Sequence, residues 1–435
     1  MSTKTAKRPI TPEGLKLRPF QKQNLKKALR WRRWLLTDEM GLGKTCQSIV
    51  MCNIRSRKKI VVICPASLRL NWKHEFKMWD TMNRSVYVIN SKNPFEDYAG
   101  EDVLIMSYHA ATRVDILREL SDYTLLIDEV HACKNWAAAR TRAVVMNWSK
   151  KSTDIIAMTG TPILKHIPDL HPVVSMMRPG EFGKFKDFCG KYTNEVWDGF
   201  QLKYYGVKNE DELKARLAEF MTRNLKADVL KDLPDKSYID VPIEISAKVA
   251  AESMKYVAAA LKSIGGDGGS LNSEHIAVAR RELGEAKIKP TIDYVTTLNT
   301  GCSGPIVLFA HHRSVLQGLR IGLEEKGLRV GMLIGGMSDV EKDAVVRKFQ
   351  GGELDVFVGS IMAASVGLTL TASSEVVFAE LDWTPAIMAQ AVDRVHRIGQ
   401  DRGVQVHMLV GEDSLDQMIV EVLESKMRTI NKVMT

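Results

Sequence analysis

The chain has 435 residues, 45% hydrophobic and 26% charged, a composition that suits a soluble globular protein with room for two domains of ordinary size. Its net charge of +9 suggests a polyanionic partner without identifying one. No run of 18 apolar residues spans a bilayer, the start MSTKTAKRPI lacks a secretory h-region, and six cysteines without CxxC spacing make no disulfide scaffold. The expectation is an intracellular, reduced protein with no membrane segment.

The charge is uneven. Residues 1–36 hold eleven basic side chains and one acid, Glu13, so the other 399 residues sum to about −1. Lys22, Lys26, Arg30 and Arg33 fall at i, i+4, i+8 and i+11, which predicts one basic helix face opposite Leu25, Ala28 and Leu29. Such a face is either solvated surface or a patch for a phosphate backbone.

Next comes DEMGLGKT, Asp38 to Thr45, between the apolar Trp34 to Leu36 and the helix-compatible CQSIVMCNI. A strand, a loop with Gly41 and Gly43 before Lys44-Thr45, and a helix suit a nucleoside triphosphate. Backbone N–H groups close on the phosphates, Lys44 pairs with them and Thr45 holds magnesium. The general pattern has glycine where this chain has Asp38.

Apolar runs predict strands at Ile60 to Cys64, Val86 to Ile89, Val103 to Met106, Thr124 to Ile127 and Ile155 to Met158. The run before Asp128 delivers Asp128 and Glu129, 84 residues after Lys44, to the end of a strand. In an extended chain they face opposite ways, so Asp128 can complete a magnesium shell while Glu129 orients or deprotonates water. Residues 181–290 read as a mostly helical insert containing a hinge at LKDLPDKSYIDVP and a glycine-rich connecting tip, Ser263 to Ser270. A second series of strands follows at Ile306 to Ala310, Val330 to Ile334, Asp355 to Val358, Val376 to Ala379 and Val404 to Val410. The alternation predicts α/β lobes with parallel sheets. In QAVDRVHRIGQ, Arg394 and Arg397 stand three apart, on one face of a predicted helix. His311 with His312, and His166 with His171, lack zinc-ligand spacing, so no structural metal is expected.

Together these segments resemble the Swi/Snf-type ATPases of helicase superfamily 2. The likeness runs through LRPFQ (Leu17 to Gln21), DEMGLGKT, CPASLRLNWKHEF (Cys64 to Phe76), MSYHAAT (Met106 to Thr112), DEVHACKN (Asp128 to Asn135), MTGTPI (Met158 to Ile163), RPGEFG (Arg178 to Gly183), ADVLKDLPDK (Ala227 to Lys236) and QAVDRVHRIGQ, in the family's order over about 90% of the chain. FAHHRSVL (Phe309 to Leu316), ARRELGEAKI (Ala279 to Ile288) and VVFAELDWTP (Val376 to Pro385) look most like the annealing-helicase, or HepA-related, branch. Two segments depart from the common pattern: SIMAASVGLTL (Ser360 to Leu370) lacks an arginine, and MTRNLKADV keeps only Arg223 of a usual pair.

The resemblance implies two RecA-like P-loop lobes, residues 1–235 and 236–435, with helical insertions between the third and fourth motifs. It implies ATP and Mg2+ as ligands, adenine recognition by Gln21, and phosphate or metal contacts by Gly41, Gly43, Lys44, Thr45 and Asp128. Catalysis falls to Glu129, and γ-phosphate sensing to Gln390, Arg394 and Arg397. His131 and Thr159, Gly160 and Thr161 would couple ATP state to lobe movement. DNA contacts by family match are Ser67, Lys73, Ser107, Tyr108, His311, Arg313 and Thr369, which grip backbone without reading bases. The implied protein is a monomeric DNA-dependent ATPase that translocates on double-stranded or forked DNA with little sequence preference. Further protein partners are left open. No accessory DNA-recognition domain is expected, and the setting is the cytoplasm of a bacterial or virus-infected cell, or a eukaryotic nucleus. Two alternatives stand: a strand-separating or strand-annealing helicase on forks or RNA, and an ATP-gated DNA-binding scaffold without turnover.

Overall fold

The computed structural model describes residues 9–89, 97–113, 120–160, 167–197, 202–255, 273–364, 368–421 and 423. Thr161, His166 and the glycine-rich run 263–270 lie outside them. The chain divides into two compact units, one running to Glu195 and including Tyr204–Leu230, the other starting at Lys231 and including Val196–Lys203. The division expected from the sequence is 235/236.

In the first unit, β1 (Arg33–Leu36), β2 (Ile60–Cys64), β3 (Val86–Val88), β4 (Val103–Ser107), β5 (Tyr123–Asp128), β6 (Ser152–Met158) and β9 (Met221–Thr222) form one sheet in the order β3-β4-β2-β5-β6-β1-β9. Every pairing is parallel. The central strands IVVIC and VLIMS are buried along their whole length, as parallel strands covered on both faces must be. Helices α1 (Pro19–Ala28), α2 (Lys44–Ile54) and α3 (Arg69–Trp79) contribute Leu25, Ile49, Val50, Trp72 and Phe76 to a core with Trp34, Leu36, Ile60 and Val62. Two short strands, β7 (Asn194–Trp197) and β8 (Leu202–Tyr205), make a separate two-stranded sheet.

α1 is shorter than the basic spacing predicts. It buries Phe20, Gln21, Asn24, Leu25 and Ala28, then ends; Arg55, just past α2, donates to the carbonyls of Ala28 and Trp31 and fixes the exit. Lys22 and Lys26 lie exposed on α1, but Arg30 lies beyond it and Leu29 is exposed. Arg33 opens β1 and donates to the Met176 carbonyl. The four cations therefore do not share a helix face.

The second unit holds β10 (Lys236–Ile243), β11 (Ile306–Ala310), β12 (Val330–Leu333), β13 (Val356–Ser360), β14 (Glu375–Phe378) and β15 (Val404–Gly411), all parallel, in the order β10-β15-β14-β11-β13-β12. Along β11, Val307 and Phe309 enter one core and Ile306, Leu308 and Ala310 the other, so five consecutive apolar residues are all buried. The insert is less helical than expected: β7, β8, β9 and β10 all fall within residues 181–290. β9 has only two residues, and β10 is a largely exposed edge strand, where Pro242 is tolerated.

Candidate active site

Parallel pairing aligns three strand ends. Leu36 stands beside Met158, and Met158 beside Asp128, so the chain leaves β1, β6 and β5 at one level on the carboxyl edge of the sheet. Strand spacing of about 4.8 Å puts the start of the glycine loop about 10 Å from the carboxylate pair, with the Thr159-Gly160 turn between them. That edge is where ligands of open α/β sheets bind.

Gly41 and Gly43 adopt left-handed φ values of 79° and 72°, and α2 begins at Lys44. A Cβ on Gly43 would lie 2.7 Å from Gln21 Nε2, which closes that position to other residues. Lys44 Nζ donates to the carbonyls of Asp38 (2.9 Å) and Glu39 (3.4 Å), so its ammonium hangs across the loop. Thr45, half-buried, follows on the first turn of α2. Gln21 is buried, donates to the Leu42 carbonyl at 3.1 Å and accepts the Arg18 N–H at 2.8 Å.

Asp38, where a glycine would be usual, is completely buried. Its Oδ2 accepts the side-chain amides of Asn24 (2.8 Å) and Gln47 (3.0 Å), and its Oδ1 that of Asn224 (2.7 Å). Burial raises its pKa, while these amides and the Lys44 charge oppose the rise. The network joins α1, the glycine loop, α2 and the residue after Arg223. Only spatial proximity reveals it.

Asp128 Oδ1 accepts the Glu129 N–H at 3.0 Å, and its Oδ2 accepts the indole N–H of Trp72 at 2.9 Å. Burial first, and the Glu129 charge second, push its pKa up to about 6 against the Trp72 bond and the Lys44 charge. The two acids diverge through a turn rather than strand alternation, because Glu129 has left the strand with φ 53° and ψ 51°. Glu129 Oε2 lies 3.2 Å from His131 Nδ1 and 3.5 Å from Thr159 Oγ1, while His131 Nδ1 and Thr159 Oγ1 are 2.9 Å apart. These three residues meet. At Gly160 a Cβ would fall 2.6 Å from Met40 Cγ and 3.4 Å from Lys44 Nζ, so the turn after β6 packs against the glycine loop.

The Thr45 hydroxyl and the Asp128 carboxylate are hard oxygen donors of the kind magnesium takes alongside phosphate. Asp128 is half-buried beside a second carboxylate, a concentration of charge that a divalent cation relieves. The residues present fit such an ion.

The segments matched to nucleic-acid contacts differ in exposure. Lys73 is exposed on α3, and Ser67 lies in a short turn at residues 66–68 before it. Ser107 is buried, and its Oγ accepts the Ala110 N–H at 3.2 Å. The Tyr108 hydroxyl is 2.8 Å from the Asp128 carbonyl and 3.1 Å from that of Glu129. It therefore faces the carboxylate loop and not solvent.

In the second unit, Gln390 is buried on the helix Pro385–Val392, and that helix ends before either arginine. Arg394 and Arg397 lie in successive turns, so they do not share a helical face. Leu370 N–H bonds the Arg394 carbonyl at 2.8 Å, and Gln400 donates to the carbonyls of Ser373 and Val395, pulling the chain out of helical register. Arg397 donates to the Leu368 carbonyl (3.1 Å) and Thr369 Oγ1 (3.0 Å).

Glu380 gathers the three branch-like segments. Its carboxylate accepts the backbone N–H groups of His311 (2.7 Å) and His312 (2.8 Å) and lies 2.6 Å from His312 Nδ1. A Cβ on Gly284 would reach 2.5 Å from Glu380 Oε1, and Arg280 donates to the Leu381 carbonyl at 2.8 Å. Burial works to raise the Glu380 pKa, but the side-chain and backbone bonds from His312 and the backbone bond from His311 outweigh it and hold the carboxyl below its ordinary value. Burial, with the Arg280 and His312 charges, lowers the pKa of His311. Arg313 is exposed at the start of the next helix, Arg313–Glu325.

Comparison with known proteins agrees with these features. Residues 21–303 match the SNF2-related domain, and residues 286–399 match the helicase conserved C-terminal domain. The chain is 32% identical over 430 residues to the Xenopus tropicalis SWI/SNF-related matrix-associated actin-dependent regulator of chromatin subfamily A-like protein 1, covering 96% of this chain and 45% of that protein. It is 31% identical over 430 residues to the human DNA annealing helicase and endonuclease ZRANB3, covering 94% of this chain and 40% of that protein. It thus spans less than half the length of either relative. The Sulfolobus solfataricus SWI2/SNF2 ATPase core in complex with dsDNA aligns at 25% identity and a TM-score of 0.47, over 96% of this chain and 93% of that one. With its glycine loop, its Asp-Glu pair and both domain matches in order, the chain belongs to the SNF2-related family of helicase superfamily 2.

Proposed function

We propose that this chain is a Swi/Snf-type motor that couples ATP hydrolysis to movement along double-stranded DNA. The observation that carries the reading is the shared level of Leu36, Met158 and Asp128, which brings Lys44, Glu129 and the Thr159-Gly160 turn to one edge of the sheet. ATP is the substrate. Lys44 leaves its carbonyl partners for the phosphates, backbone N–H groups at the start of α2 hold them, and Gln21 receives the adenine. Glu129, oriented by Thr159 and His131, takes a proton from the water that attacks the γ-phosphate; ADP and phosphate leave. Magnesium held by Thr45 and Asp128 would neutralise charge on the phosphates. Gln390, Arg394 and Arg397 keep the γ-phosphate role implied by the family likeness.

For DNA, exposed Lys73 and Arg313 are favoured as phosphate contacts, with Ser67, Ser107, His311 and Thr369 as weaker proposals. Action on forked DNA, including annealing, is a second reading, supported by the name of the human relative. The intact set Lys44, Asp128, Glu129 and Arg397 argues against a scaffold without turnover. Lys44→Ala and Glu129→Gln should each lower DNA-stimulated ATP hydrolysis by about 100-fold or more while the melting temperature stays near wild type. Retained turnover in either would refute the site assignment.

A further inference from the structure

Two side chains outside the nucleotide motifs hold the carboxylate pair in place. Trp72, fully buried on α3, gives its indole N–H to Asp128 Oδ2. Tyr108, just past β4, sets its hydroxyl between the carbonyls of Asp128 and Glu129. The peptide bond it grips leads into Glu129, a non-glycine residue at φ 53°, a strained backbone state that persists only where its surroundings enforce it. Neither donor carries charge, so neither competes with Lys44 or a cation for the substrate. Their effect is to fix where the two carboxylates point.

Each of these residues is also the sequence neighbour of a proposed DNA contact. Lys73 follows Trp72, and on a helix consecutive side chains diverge by about 100°, which sends Trp72 into the core while Lys73 faces solvent. Ser107 ends β4 immediately before Tyr108, and its hydroxyl holds the turn that follows. A backbone shift at either segment therefore moves an N–H or O–H that aims a reacting group, and misplacement by about 1 Å can change a rate by about 100-fold.

We infer that Trp72 and Tyr108 are positioning residues through which DNA held by α3 and the segment after β4 aligns Asp128 and Glu129 for hydrolysis. The inference rests on the function proposed above and adds the route by which DNA raises turnover. Tyr108→Phe removes one hydroxyl and keeps the ring; Trp72→Phe removes the indole donor and serves as a second variant should the first fold poorly.

The test measures kcat and KM for ATP in the full chain, with and without saturating duplex DNA, together with the Kd for that DNA. Tyr108→Phe should lose about tenfold or more of the DNA-stimulated kcat. Its turnover without DNA should fall less, and ATP KM and DNA Kd should stay within about twofold of wild type, since the hydroxyl touches neither ligand. An unchanged stimulation ratio overturns the inference, as does an equal fall with and without DNA. Weakened DNA binding with normal kcat at saturation overturns it too, by making Tyr108 a direct DNA contact. A wild-type chain that hydrolyses ATP without responding to DNA overturns the proposed function and this inference together, whereas equal stimulation of wild type and variants overturns the inference alone.

Discussion

Asn24 offers a sharp test of the buried network around the glycine loop. Its amide donates to Asp38 Oδ2 at 2.8 Å and to Gln47 Oε1 at 3.0 Å, and its Oδ1 accepts from Asn224 at 3.1 Å. Asn24→Ala deletes one hydrogen bond to a buried carboxylate and two neutral ones, a loss of about 2–4 kcal/mol. For a unit of this size that lowers the melting temperature by roughly 4–16 °C. Asn24→Asp keeps the shape but sets a second carboxylate 2.8 Å from Asp38, a repulsion of about 6 kcal/mol at an effective dielectric of 20. The pair escapes by holding a proton, so its folded-state pKa rises above the unfolded value, adding to the rise that burial already gives Asp38. A raised acid means that the folded state binds the extra proton, so stability is regained as pH falls. Thermal unfolding followed by circular dichroism should find Asn24→Asp less stable than Asn24→Ala at pH 8, with the gap closing towards pH 5. Both should raise KM for ATP, because Gln21 lies one turn before Asn24 on α1. Equal stability of the two variants at pH 8, or a gap independent of pH, would refute the network.

Other outcomes follow from the same architecture. Gly160→Ala forces a Cβ to 2.6 Å from Met40 Cγ; the overpacking should cost about 1–3 kcal/mol and lower kcat by displacing Lys44, and wild-type kinetics would contradict the packing. Glu380→Gln should destabilise the second unit by about 1–3 kcal/mol near neutral pH. Because the Glu380 pKa is depressed, its stabilisation is complete above the ordinary value of 4.5 and fades below it, so urea unfolding should find wild type and variant converging as pH drops from 6 to 3.5. Changing Lys22, Lys26 and Arg30 to Glu should flatten the salt dependence of DNA binding by roughly 0.9 in log-log slope for each phosphate no longer neutralised, and an unchanged slope would leave them as solvated surface. Arg33 is left out because its guanidinium is already bound to the Met176 carbonyl.

What the sequence disclosed were features written contiguously. The glycine loop needs Gly41, Gly43, Lys44 and Thr45 in succession, and the strand before Asp128 is an unbroken apolar run, so both were legible, as were most central strands. Pairings between distant residues left no such trace: Trp72 reaches Asp128 across 56 positions, and Asn224 reaches Asp38 across 186. Periodicity also overran its elements. The basic spacing from Lys22 to Arg33 continues past the point where Arg55 ends α1, and the Arg394 to Arg397 spacing continues past Val392, where bonds from Leu370 and Gln400 take over the backbone. β9 went unseen because two residues are too few to carry a periodic signal, and β10 starts within the segment read only as a hinge, where most of its side chains stay exposed.

Steady-state ATP hydrolysis across a panel of nucleic acids tests most directly whether the aligned strand ends form an ATPase driven by duplex DNA. With duplex, forked and single-stranded DNA and RNA at matched saturation, turnover should rise several-fold with duplex or forked DNA, little with RNA, and not at all in Glu129→Gln. Stimulation by RNA equal to that by duplex DNA, or turnover that survives Glu129→Gln, would contradict the account.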